Sequence, residues 1–106
     1  MFRVDNNKIW LTCGDTAEFA PVIENYTVQE GDVVTFTAKK VLSDPELAIN
    51  KSVAAGDSIA FAAEDTSSLT PGTYLYDLRL VTAEGEVSTF VSQGQLCLLG
   101  ALNENN

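Results

Sequence analysis

Glu64-Asp65-Thr66-Ser67-Ser68-Leu69-Thr70-Pro71-Gly72-Thr73-Tyr74-Leu75-Tyr76-Asp77-Leu78-Arg79-Leu80 decides the fold class of this chain. It opens as a polar corner, where Asp and Ser side chains suit a single helical turn over residues 65–69 because they satisfy orphan backbone donors. Pro71-Gly72 then turns the chain. Residues 73–81 place Tyr74, Tyr76, Leu78 and Leu80 on one parity and Thr73, Leu75, Asp77 and Arg79 on the other. That alternation belongs to a strand with one face on a core.

The same two-residue period runs outward in both directions. After a short opening segment, residues 9–12 read as a strand that stops at Cys13-Gly14-Asp15-Thr16. Residues 18–23 put Phe19 and Ile23 on one parity with Pro21 between them, the mark of an edge strand or bulge, since proline has no donor for a ladder. That edge is one place where something else is expected to dock. Glu30-Gly31-Asp32 turns the chain into a long strand over residues 33–41, with Val34, Phe36 and Ala38 on one face and Thr35, Thr37 and Lys39 on the other. Ser43-Asp44-Pro45-Glu46 is a loop, and residues 47–53 follow as a strand carrying Leu47, Ile49, Lys51 and Val53 on one parity.

Gly56-Asp57 leads into residues 58–63, where Ile59, Phe61 and Ala63 share one side and Ala60 and Ala62 the other. Their shortness and flanking turns favour strand over helix. Ala83-Glu84-Gly85-Glu86 connects a hairpin, because Gly85 can take positive φ. Residues 87–92 return with Val87, Thr89 and Val91, and Gln93-Gly94 leads into residues 95–102. There Leu96, Leu98 and Leu102 oppose Cys97, Leu99 and Ala101, so both faces are expected to be covered. The polar tail Asn103-Glu104-Asn105-Asn106 is expected to fray. About seven or eight short strands separated by turns predict a single all-β domain over 1–106, an antiparallel β-sandwich or small barrel.

The bulk numbers agree. A chain of 106 residues, 45% hydrophobic, can bury one core and sits well inside the globular range. Fifteen acidic residues against six basic ones give a net charge of −9, which repels phosphate backbones and anionic lipid and argues against nucleic-acid or membrane partners. The start, Met1-Phe2-Arg3-Val4-Asp5, shows no secretory pattern, so synthesis in the cytosol is expected. In a reducing compartment Cys13 and Cys97 are expected as buried thiols rather than as a disulfide. Asn25-Tyr26-Thr27 and Asn50-Lys51-Ser52 match the glycosylation sequon without a secretory signal, and no function is assigned to them.

The chemistry of the side chains nominates no catalytic, cofactor-binding or metal-binding residue. With no histidine, triads built on it are excluded and the commonest metal ligand is missing. Two distant cysteines do not make a structural zinc site. The basic residues are scattered apart from Lys39-Lys40, which read as a solvated strand end. Gly14-Asp15, Gly31-Asp32 and Gly56-Asp57 raise the question of calcium, but no DxDxDG-type loop is present and Asx-type turn bonding accounts for them. Trp10, Tyr26, Tyr74, Tyr76 and Phe90 have two readings, a sugar-stacking platform or core packing, of which core packing is the simpler. Tyr74, just past the Pro-Gly turn, sits where a corner tyrosine would, its hydroxyl bonding back to nearby backbone.

Gly14-Asp15-Thr16-Ala17, Gly31-Asp32-Val33-Val34-Thr35-Phe36-Thr37, Lys51, Glu64-Asp65-Thr66-Ser67-Ser68-Leu69 and Gly72-Thr73-Tyr74-Leu75-Tyr76-Asp77-Leu78 together resemble small immunoglobulin-like virion proteins of tailed bacteriophages infecting Gram-positive bacteria. The chain is similar to the N-terminal domain of baseplate upper proteins, which anchors receptor-binding proteins. The likeness spans nearly the whole chain and rests on turns and core strands. It implies an immunoglobulin-like antiparallel β-sandwich, no enzymatic activity, and a virion location after synthesis in the bacterial cytoplasm. It further implies an assembly or docking module whose partners are other virion proteins or copies of itself, engaged through strand edges, loops and the two-sided last strand. Because the chain ends at Asn106 without a receptor-facing extension, a free-standing copy on the head, at the tail or baseplate, or as an adaptor is expected. The alternative reading is a carbohydrate-binding module at the host surface.

Overall fold

The computed structural model of the protein describes residues 2–100. Eight strands and one short helix follow in the order β1 (Phe2–Asp5), β2 (Lys8–Thr12), β3 (Ala17–Phe19), β4 (Val33–Lys39), β5 (Ile49–Ala54), β6 (Ile59–Phe61), α1 (Ala63–Thr66), β7 (Gly72–Val81) and β8 (Val87–Leu99). The all-β class and the strand number agree with the sequence pattern. Six strands form one sheet in the order β1-β2-β8-β7-β4-β5, and β3 pairs with β6 in a second, two-stranded sheet.

The alternating strands dictate this arrangement. In β4, Val34, Phe36 and Ala38 are buried while their neighbours are half-exposed, and β7 buries Tyr74, Tyr76, Leu78 and Leu80 in the same way. Register brings like faces together, with Val34 opposite Leu80, Phe36 opposite Leu78 and Ala38 opposite Tyr76. Directly paired residues share a face, so the apolar sets of the two strands merge. The small sheet packs on that inner face through rings. Phe61 meets Phe36 edge-on at 5.3 Å, Phe19 lies 6.1 Å from Phe61 and 6.4 Å from Phe36, and Phe36 stacks on Tyr76 at 5.1 Å. Such offset and edge-to-face pairs add about 0.5–1.5 kcal/mol each beyond area burial.

Turn chemistry supplies the connections. Thr12 to Asp15, Gln29 to Asp32 and Ala54 to Asp57 each close through a hydrogen bond from the Asp amide to the carbonyl three residues back. In each, the glycine before Asp takes the positive φ that a type II turn demands at its third position. At Gly31 space adds to conformation, since a Cβ there would lie 2.8 Å from the Ala83 Cβ.

Several sequence expectations need correction. The large sheet is mixed, because β2 runs parallel to β8. These strands lie at opposite ends of the chain, no hairpin sets their relative direction, and alternation is the same for either. Residues 2–5, read as an opening segment, form β1 and pair with β2. The strand expected over 18–23 shortens to Ala17–Phe19, leaving Pro21 and Ile23 in the connection. The strand expected from residue 47 begins at Ile49, and Leu47 stands exposed. Residues 58–63 shorten to Ile59–Phe61, and the helical turn lies over Ala63–Thr66 rather than 65–69.

Its position follows from Asp65, which takes the third helical position and accepts the Ala62 amide at 2.7 Å, so that the cap reaches backward. Residues 87–92 and 95–99 belong to one strand. Gln93-Gly94, read as a break, is a bulge in which Gln93 has φ 55° and donates its amide to Asp77 at 2.8 Å. Leu96 and Leu98 are buried and Cys97 and Leu99 half-buried, while Ala101, Leu102 and the tail 103–106 lie outside the described residues.

Candidate functional site

β7 has a second face. Opposite its buried residues stand Thr73, Leu75, Asp77, Arg79 and Val81, and the cross-strand register extends each into a row over the outer surface of the large sheet. One row runs Asp5, Lys8, Gln95, Leu75, Lys39 through five adjacent strands. At about 4.8 Å per strand, Lys8 and Lys39 stand roughly 14 Å apart in it. Another runs Arg3, Trp10, Cys97, Thr73, and a third runs Thr89, Arg79, Thr35, Ser52. Four of the six basic residues therefore share one face in a chain of net charge −9. Strand parity places Lys39 and Arg79 on the polar side of their own strands, but only the register unites them.

The face has relief. Trp10 is half-buried, with the Arg3 guanidinium 4.9 Å and the Lys8 ammonium 5.0 Å from its ring centre, both within cation–π reach. Arg3 also meets Asp5 at 3.6 Å. A cleft of about 370 Å³ has Thr37, Leu75 and Asp77 along its floor, Lys39 and Arg79 beside them, and Leu42 and Leu47 on the rim. Those rim leucines are 63% and 43% exposed, apolar surface offered to solvent next to two cations.

The remaining candidates serve the fold. Tyr74 donates its hydroxyl to the Thr70 carbonyl at 2.9 Å, as a corner tyrosine does, and burial pushes its pKa up. Lys40, read as part of a solvated strand end, places its ammonium 4.8 Å from the Tyr74 ring centre. Thr66, completely buried, accepts the Gly14 amide at 2.9 Å and so ties the helix to the first Gly-Asp turn. Lys51 projects from the inner face of β5, opposite Phe36, and meets Asp65 at 2.8 Å. Burial pushes the Asp65 carboxyl up, but hydrogen bonds from Lys51 and the Ala62 amide outweigh it and hold the pKa below the ordinary value.

Of the three turn aspartates, Asp32 is the buried one. Its carboxylate accepts the Tyr26 hydroxyl at 2.6 Å and the Gln29 amide at 2.8 Å, which lowers its pKa and raises that of Tyr26. The carboxylate reaches back along the chain and braces the 26–32 loop, rather than closing an Asx turn onto residues ahead of it. Among the described residues no three His, Cys, Asp or Glu side chains gather in a metal-binding group. The five aromatics do not share a surface: Tyr74 and Tyr76 are in the core, Phe90 is half-buried against it, Trp10 is on the outer face, and Tyr26 is held in the 26–32 loop. Cys13 is buried and Cys97 half-buried, both as thiols. Register explains why they do not meet, because Cys13 continues the inward parity of Ile9 and Leu11 while Cys97 faces outward beside Trp10.

The edges of the large sheet are guarded. β2 covers only Gln95–Leu99 of β8, so residues 87–93 present an open edge, but two register shifts against β7 bend it. β5 carries the inward-pointing Lys51, and β1 is four residues long with Arg3 and Asp5. Bulges, inward charges and short charged strands are the recognised defences against strand addition. Compared with known proteins, the chain matches no family model and no curated relative.

Proposed function

We propose that this chain is a non-enzymatic structural or accessory protein of a bacteriophage virion, an immunoglobulin-like docking module of the tail, baseplate or head. The sequence resemblance motivates the reading. The strand order supports its fold, since β8-β7-β4-β5 follows the G, F, C, C′ order of a variable-type immunoglobulin sheet and the β3–β6 pair takes the place of B and E. The Tyr74 hydroxyl bond to Thr70 matches the tyrosine corner of such domains.

The observation that carries the docking role is the outer face of the large sheet, where cations and exposed leucines border a cleft beside guarded edges. Exposed apolar side chains set beside charged ones, with little free backbone, suit a module that binds through a face. Particles purified from producing cells provide the test. The expected result is this chain at a fixed ratio to the major virion protein by quantitative mass spectrometry, with antibody label at one place on the particle. Particles lacking it would sink the proposal.

A further inference from the structure

The six basic residues of this chain are sorted in space. Arg3, Lys8, Lys39 and Arg79 occupy the outer face of the large sheet. Lys40 lies over Tyr74, and Lys51 is engaged with Asp65. The acidic residues in the strand rows of the outer face, Asp5 and Asp77, already have partners in Arg3 and the Gln93 amide, and on the loop between Leu42 and Leu47 Asp44 accepts the Val41 amide at 3.4 Å while Glu46 is exposed. The opposite side of the molecule carries the reverse charge. Glu18 points outward from β3, opposite Ala60 of β6, Glu24 is exposed in the connection that leaves β3, and Glu64 is exposed in the helix that follows β6.

Apolar relief is sorted too. On the outer face the cleft lies between Leu42, Leu47 and Leu75. In the connection that leaves β3, Val22 is the most exposed large hydrophobic residue, at 79%, between Glu18 and Glu24.

We infer that copies of this chain associate head to tail, the basic outer face of one receiving the acidic β3 side of the next, with Val22 seated between Leu42 and Leu47. The occupant is a second copy because both halves of the contact are present on one chain, on opposite sides. A twofold contact of like faces would set cation against cation. The head-to-tail contact is heterologous, so it repeats and closes into a ring or extends into a stack. Overall repulsion from the −9 charge acts at long range and is screened beyond roughly 8 Å at physiological ionic strength, whereas the paired charges act at contact. Self-association of this kind does not require a virion, so particle labelling and the solution test below fail separately.

Sedimentation of the purified chain at physiological salt, from about 10 μM to about 1 mM where weak contacts populate, reads the association. Concentration-dependent growth is expected for the wild type. The double variant Lys39→Glu with Arg79→Glu and the double variant Glu18→Lys with Glu64→Lys should each associate about tenfold more weakly or not at all. Mixing the two variants should restore association, because the opposed charges are then complementary again. Their thermal melts, matched to wild type, exclude misfolding as the cause. A wild type that stays monomeric across the range overturns the inference. So does growth unaffected by either variant, or a mixture that fails to recover.

Discussion

β7 is one strand with two jobs, and its two faces differ in what they demand of neighbours. The inner set, Tyr74, Tyr76, Leu78 and Leu80, is buried against β4, β8 and the small sheet. The outer set mixes Leu75 with Asp77 and Arg79 and stays partly wet. Apolar burial is non-directional and roughly proportional to area, so the inner face tolerates change only where shape is kept. A charge at the surface contributes little to stability and much to which partner approaches. The inner face therefore specifies the fold, and the outer face is free of that demand.

The sharpest way to break this contrast is Phe36→Ala. Phe36 is fully buried and touches rings from both sheets, so its truncation should cost about 3–5 kcal/mol in urea unfolding, a large fraction of the total for a domain of this size. A loss under about 1 kcal/mol would mean that the two sheets do not share one core.

Gly94→Ala comes next. A Cβ at Gly94 would lie 2.5 Å from Tyr76 Cε1 and 2.9 Å from the Asn7 carbonyl, so overpacking of about 1–3 kcal/mol is expected. Combined with Tyr76→Leu the penalty should shrink, since the ring that collides is gone. Purely additive losses would show that Tyr76 is not the obstacle.

Acid provides a third probe. Asp32 and Asp65 both have folded-state pKa values below their unfolded ones, so between the two values the unfolded chain binds more protons and stability rises with pH. Their contribution is complete above the unfolded carboxylate value of about 3.9 and is lost as pH falls through the folded values. Chemical denaturation across that window should show a steeper acid loss for wild type than for Asp65→Asn or Asp32→Asn. Identical slopes would remove both pairings from the account. The smallest effect belongs to the outer face: Lys39→Glu with Arg79→Glu should move unfolding by no more than about 0.5 kcal/mol.

How much of this was legible in advance follows the same division. Tyr74 to Leu80 and Val34 to Ala38 announce their inner faces by a period of two, and the Gly-Asp pairs announce their turns. β1 alternates, Phe2 and Val4 against Arg3 and Asp5, but four residues at the short end of the strand range do not stand out from a leading segment. Gln93-Gly94 carries turn composition, yet Gly94 is there to admit the Tyr76 ring and Gln93 to absorb an extra residue. The convergence of Arg3, Lys8, Lys39 and Arg79 was invisible for a different reason. Parity assigns each residue a side of its own strand, but which strands become neighbours is a long-range outcome that local alternation does not encode. Lys51 stood out in the sequence without its partner Asp65, which approaches from the other layer.

The parallel seam between β2 and β8 has a consequence in time. Lys8 lies against Gln95 and Thr12 against Leu99, nearly the whole chain apart. Synthesis proceeds from the N-terminus, so β2 waits without this neighbour until the last strand has emerged from the ribosome. High contact order of this sort slows folding and lengthens the interval in which apolar strands are unprotected. The final dozen residues of the large sheet thus govern when the molecule becomes safe from aggregation.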